Sequence, residues 1–118
     1  MFNKPITRIG TTTRWSDAVV HNGVVHVVEV PTTVSAPIVD QTTEVFTQLE
    51  ATLARAGSSK ERLIMCTIYL ADIADRPAFN ELWDAWLVPG TAPVRACVQV
   101  VLAEPGYRLE IHATAALE

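Results

Sequence analysis

The sequence predicts an α+β fold: a mixed six-stranded β-sheet with two helices packed on one face, in the order β-β-β-α-β-α-β-β. Three observations lead there. Short β-branched runs flank two longer segments whose apolar residues recur at the helical period. An Asn22-Gly23 pair separates two of the apolar runs, as in a tight hairpin. The 118 residues, 49% of them hydrophobic, suffice for one domain, residues 1–118, with one core.

Residues 6–13 are rich in β-branched side chains and predict a short first strand. Asp17 to His21 and Val24 to Val30 follow as a hairpin, because Asn-Gly favours the positive φ angles of a type I′ turn. Pro31 ends the third strand, and Pro31 to Pro37 reads as a polar loop. From Val39 to Ala56 the period changes: Thr42, Phe46, Leu49, Leu53 and Ala56 share one helical stripe, with Asp40, Glu44, Gln48 and Arg55 facing away. Gly57 is placed to cap that helix in the left-handed conformation. Leu63 to Leu70 is apolar on both faces and predicts a central strand. Asp75 is the expected cap of a second helix, with Pro77 in its first turn. Its Phe79, Leu82, Trp83, Trp86 and Leu87 follow the helical period, so both tryptophans read as core rather than as an aromatic ligand box. Residues 93–101 and 107–113 form the last two strands, at hairpin distance across Glu104-Pro105-Gly106. Right-handed crossovers put both helices on the same side of the sheet.

Arg95 is the anomaly. It stands second in an apolar strand, where a guanidinium is costly unless an anion answers it. Its planar fork suits a carboxylate, gripped by two parallel hydrogen bonds. That suggests a carboxylate-binding pocket built on the sheet, with Glu110 nearby; the plainer reading is a structural Arg95–Glu110 ion pair. Alternation assigns Val94, Ala96, Val98 and Val100 to the helix layer, and Arg95, Cys97, Gln99 and Val101 to the other face. A hairpin register with Cys97 opposite Glu110 would set Arg95 against His112 and Gln99 against Arg108. Such a mixed face reads as a subunit interface holding a wet pocket.

Several classes are disfavoured. A net charge of −4, with nine scattered Lys and Arg, argues against a nucleic-acid partner. No apolar run spans a bilayer, and the segment from Met1 to Pro5 shows no leader, so no membrane association is expected and a cytoplasmic location is. Cys66 and Cys97 form no C-x-x-C pair and read as reduced thiols; His21, His26 and His112 have no ligand spacing. Neither a metal nor another cofactor is expected.

Ala92-Pro93-Val94-Arg95-Ala96-Cys97-Val98-Gln99-Val100, followed by Glu110, closely resembles the C-terminal signature of the Rid/YjgF family. Arg14-Trp15-Ser16-Asp17, Thr67-Ile68-Tyr69-Leu70-Ala71-Asp72 and Asn80-Glu81-Leu82-Trp83-Asp84-Ala85-Trp86 extend the resemblance over nearly the whole chain, closest to the YoaB-like branch. The resemblance implies a chorismate-mutase-like fold and a homotrimer with clefts between subunits. It also implies hydrolysis of small 2-imino acids, or their enamines, to 2-keto acids and ammonia. Carried over, Arg95 binds the substrate carboxylate and Glu110 directs the attacking water as a general base. Cys97 contributes fit and backbone groups rather than a nucleophile; Asn80 lies at the pocket edge, and Trp15 is the one aromatic residue available to cover it. Relatives usually carry a small residue where this chain has Val28-Glu29 before Val30-Pro31, which narrows the pocket and adds a negative charge. That departure favours the alternative, a non-catalytic trimer that binds small carboxylate metabolites. A ribonuclease or translation inhibitor, suggested for some relatives, is disfavoured by the acidic balance.

Overall fold

The computed structural model describes residues 4–118; Met1 to Asn3, part of the segment read for a leader, lie outside the described residues. The elements run β1 (Thr7–Ile9), β2 (Ala18–His21), β3 (Val24–Glu29), α1 (Ile38–Ala56), β4 (Leu63–Leu70), α2 (Arg76–Trp86), β5 (Val94–Gln99) and β6 (Leu109–Ala116). They form one six-stranded sheet in the order β1-β2-β3-β6-β4-β5, with both helices on one face. The β4–β5 pair is parallel, joined by the α2 crossover, and the other pairs are antiparallel. This is the chorismate-mutase-like arrangement.

Local chemistry accounts for the elements. Asn22 and Gly23 take φ values of 53° and 77°, the doubly left-handed turn that matches the twist of a two-residue hairpin. Gly57, at φ 90°, turns its N–H back to the carbonyls of Leu53 and Ala54 and ends α1. The sheet contributes Val25, Val27, Cys66, Ile68, Ile111 and Ala113 to the core, and α1 contributes Val45, Phe46, Leu49 and Leu53. Burying each of the larger aliphatics contributes about 1.5–3 kcal/mol. From α2 come Phe79 and Trp83, both buried; Phe46 stacks on half-buried Trp86 at 4.3 Å between ring centroids. The tryptophans are core, as their period predicts.

Two expectations about the last strands are overturned. β5 and β6 form no hairpin, because β4 lies between them and pairs with both. The faces of β5 are also inverted. Arg95, Cys97 and Gln99 are in register with Cys66, Ile68 and Leu70, whose side chains are fully buried beneath the helices. Val94 and Val98 instead face away from the helices, 68% and 40% exposed. β5 is an edge strand, and α2 offers Arg95 a polar and aromatic seat that a valine would not need. Gln99 accepts a hydrogen bond from the Ile73 N–H at 2.8 Å instead of meeting Arg108.

Asp75 does not cap α2 with its side chain. Its carboxylate instead receives the Arg108 guanidinium through Nε at 3.0 Å and Nη2 at 2.8 Å. The stripe of α1 is also wider than its apolar residues suggest. Gln41, fully buried, donates to the carbonyls of Ala36 and Gly106 and accepts from the Arg108 N–H, tying the loops at 31–37 and 101–108 together.

Glu44, expected to face solvent freely, receives the N–H and hydroxyl of Thr32, each at 2.7 Å, and those of Thr33 at 3.1 and 2.9 Å. These bonds, the Thr32 hydroxyl first among them, hold its carboxyl down to about 2 from an ordinary 4.5. A depressed carboxyl stabilises the fold above its unfolded-state value and loses that contribution as pH falls through the folded one. Glu44→Gln should therefore lower the urea midpoint at pH 7. The gap to wild type should narrow below pH 4.5 and close near pH 2, which a denaturation series over pH measures.

Candidate functional site

The residues singled out by sequence fall into two groups, on opposite faces of the sheet. The first lies on the helix face at the β5 edge. Half-buried Arg95 donates to Asn80 Oδ1 on α2 at 2.9 Å, and its guanidinium lies 5.4 Å from the centroid of the Trp83 ring. It makes no ion pair among the described residues. The Asn80 amide and the Trp83 face hold the fork in place without neutralising it, leaving donors for an anion.

Cys97 shares this face, two residues along, and is partly exposed, whereas Cys66 is fully buried. Burial pushes the Cys66 thiol up to about 12, which makes it inert. Burial also raises Cys97, against a smaller lowering by Arg95 and Arg76. The one base considered for Cys97, His112, lies on the other face: its partner Thr67 pairs with Ala96, one residue out of step with Cys97. Cys97→Ser should accordingly retain most of the protein's activity. A folded but inactive serine variant would require a thiol mechanism.

The second group lies at the end of β3 and β6. Alternation along β6 turns Leu109, Ile111 and Ala113 into the core and Glu110 and His112 to the open face. The register expectation that paired Arg95 with His112 is thus replaced by a contact within β6. His112 Nε2 is 2.6 Å from Glu110 Oε2, and the Tyr69 ring meets the imidazole edge-on at 4.7 Å. The supposed Arg95–Glu110 ion pair within one chain does not form, because the sheet separates them. Glu110 instead lines, together with Trp15, Val28, Glu29 and Tyr107, a cavity of about 680 Å³. Trp15, one of its lining residues, is 57% exposed.

One contributor to the cavity, Tyr107, was not recognised from sequence, since its place arises from a loop distant along the chain and carries no local signal. Glu29 was read as a charge beside the pocket, and its burial was legible too: it alternates with Val25 and Val27, both on the core face of β3. Among the described residues no cluster of three or more His, Cys, Asp or Glu could hold a metal, and no helix is long and apolar enough to cross a membrane.

Comparison with known proteins adds to this geometry. Residues 5–117 match the family described as Endoribonuclease L-PSP. The chain is 43% identical over 112 residues to the RutC family protein YoaB of Escherichia coli K12, covering 95% of this chain and 98% of that protein. A RutC family protein of Haemophilus ducreyi is 39% identical over 113 residues, covering 95% and 97%. Among solved structures, NMB1025 of Neisseria meningitidis, a member of the YjgF protein family, superposes with a TM-score of 0.92 at 39% identity, over 97% of this chain and 96% of that one.

Proposed function

The chain belongs to the Endoribonuclease L-PSP family, the Rid/YjgF proteins, and from that premise we propose that it hydrolyses reactive 2-imino acids and their enamines to 2-keto acids and ammonia, in clefts between the subunits of a homotrimer. The observation that carries this reading is the Arg95 guanidinium, positioned by Asn80 and Trp83 yet free of any carboxylate among the described residues. A planar fork held with spare donors is suited to a substrate carboxylate.

The second requirement is a base, and Glu110 supplies it from a different copy. Within one protomer Arg95 and Glu110 are on opposite faces, so a single small molecule meets both only where the open face of one copy approaches the β5 edge of another. The open face is suited to such a contact: Met65, Val94 and Val98 on it are 43%, 68% and 40% exposed. In the cleft, Arg95 grips the carboxylate while Glu110 takes a proton from water as the oxygen adds to the imine carbon. Glu110 returns that proton to the nitrogen and then relays the carbinolamine hydroxyl proton to it as the C–N bond breaks, so that ammonia leaves with the keto acid behind. His112, at 2.6 Å, orients the Glu110 carboxylate.

The second reading is a non-catalytic trimer that binds small carboxylate metabolites, favoured by the branched Val28 at the cavity and the charge of Glu29 beside it. The net charge of −4 gives no support to cleavage of a phosphate backbone. An amino-acid oxidase coupled to the protein, with imine lifetime followed by trapping, tests the proposal. A shortened lifetime is expected; an unchanged one favours the binder. Sedimentation should give a trimer, and a stable monomer at micromolar concentration would remove the shared cleft altogether.

A further inference from the structure

One carboxylate in the lining of the cavity poses a separate question. Glu29 is only 9% exposed, and its Oε2 has no hydrogen-bond partner. The Gln48 amide reaches Oε1 only at 3.5 Å, because its better bond, at 2.8 Å, goes to the Val30 carbonyl. The Thr52 hydroxyl acts on the carboxylate as well, but leaves Oε2 without a partner. A carboxylate removed from water and left short of donors is costly, so its place in a cavity calls for a donor from outside.

The surroundings define that donor. Asp17, Glu104 and Glu110 also line the cavity, no Lys or Arg is among its described lining residues, and Arg55 lies close by against Asp17. Arg55 stands 3.8 Å from Asp17, with the two side chains 55% and 44% exposed, and so leaves the cavity negative. Trp15 and Tyr107 supply aromatic faces, which attract cations, and Val28 and Val30 add apolar wall. A metal ion is a poor fit, since no cluster of three or more ligating side chains occurs among the described residues. An apolar stem ending in a positively charged, hydrogen-bond-donating group fits all of these features.

We propose that this cavity binds an organic cation, the ammonium or guanidinium end of an apolar stem, with Glu29 as its anchoring carboxylate. Joined to the imine reading, on which this extension rests, the imino acids served carry a basic side chain, with the carboxylate end on Arg95 and the cationic end on Glu29.

Burial raises the Glu29 carboxyl, with a smaller push from Asp17, against lowering by Thr52, Gln48 and Arg55. A raised carboxyl makes the fold less stable as pH climbs past its unfolded-state value, so Glu29→Gln should melt no lower than wild type at pH 7. The variant is therefore a usable probe.

Calorimetric titration of the wild type with the keto acids of arginine and of leucine, and with butylguanidine, separates the two ideas. The arginine keto acid should bind about tenfold or more tightly than the leucine one, the least expected of a charge-assisted hydrogen bond at a buried carboxylate. Glu29→Gln should collapse that ratio towards one. Equal affinities in the wild type, or a full ratio kept by the variant, would overturn the cation pocket and leave the imine reading standing. Butylguanidine bound by the wild type but not by the variant, with neither keto acid bound, would support the pocket and overturn the imine reading. Failure of all three probes to bind would overturn both.

Discussion

Arg95→Ala is expected to lose measurable binding of pyruvate and 2-ketobutyrate while the protein remains folded. The loss from a bidentate, partly desolvated carboxylate pair is about 2–5 kcal/mol, enough to push a small keto acid out of a practical titration range. The cost to stability is smaller. Arg95 contributes a hydrogen bond to Asn80 and a cation–π contact with Trp83, about 1–2 kcal/mol together. An arginine locked in a buried ion pair would behave differently, since its removal strands a charge and costs about 3–5 kcal/mol. Thermal melts and keto-acid titrations on the same variant separate the cases. Intact melting with lost ligand supports the site, and collapse of the fold would show that Arg95 is structural. Arg95→Lys sharpens the test: it keeps the charge but not the fork, so ligand binding should remain poor.

Glu110→Gln should leave keto-acid affinity nearly unchanged and reduce imine hydrolysis by about 10²–10⁴-fold, the range typical of a lost general base. The fold should tolerate the change, because the Glu110–His112 contact is partly exposed, with side-chain accessibilities of 23% and 47%. The comparison is between single-turnover hydrolysis and product binding in one preparation. Equal imine lifetimes in wild type and variant would favour the non-catalytic reading.

The element order was legible because each boundary is set by local chemistry. Asn22-Gly23 forces the hairpin, Gly57 ends α1, and the Trp83–Trp86 spacing places α2 against the core. Arg95 was legible as a misfit in its strand, and its lack of a carboxylate partner follows the same logic. What sequence alone could not supply was long-range pairing. The closeness of β5 and β6 along the chain suggests a hairpin, but the strand that separates them, β4, comes from before α2. The alternation of β5 misled for a related reason. Val94 and Val98 are the more apolar set and would face the helices in an isolated protomer, yet they face outward where the proposed neighbour would cover them. Glu29 was noticed as a charge near the pocket, but its orphaned oxygen depends on how Gln48 divides its amide between two acceptors.

The position of β6 bears on how the protein is made. It is the last of the six strands in sequence, yet it lies between β3 and β4. A ribosome releases the chain from its N-terminal end, so β3 and β4 emerge with unpaired edges facing a gap that only β6 can fill. During that interval the nascent chain exposes backbone donors and acceptors along two apolar strands, the geometry that recruits a wrong partner. Each polypeptide must therefore stay apart from its neighbours until its final strand arrives. Slow codons just upstream of β6 would lengthen the hazardous interval, and expression yield should fall with them while the finished protein's melting point stays the same.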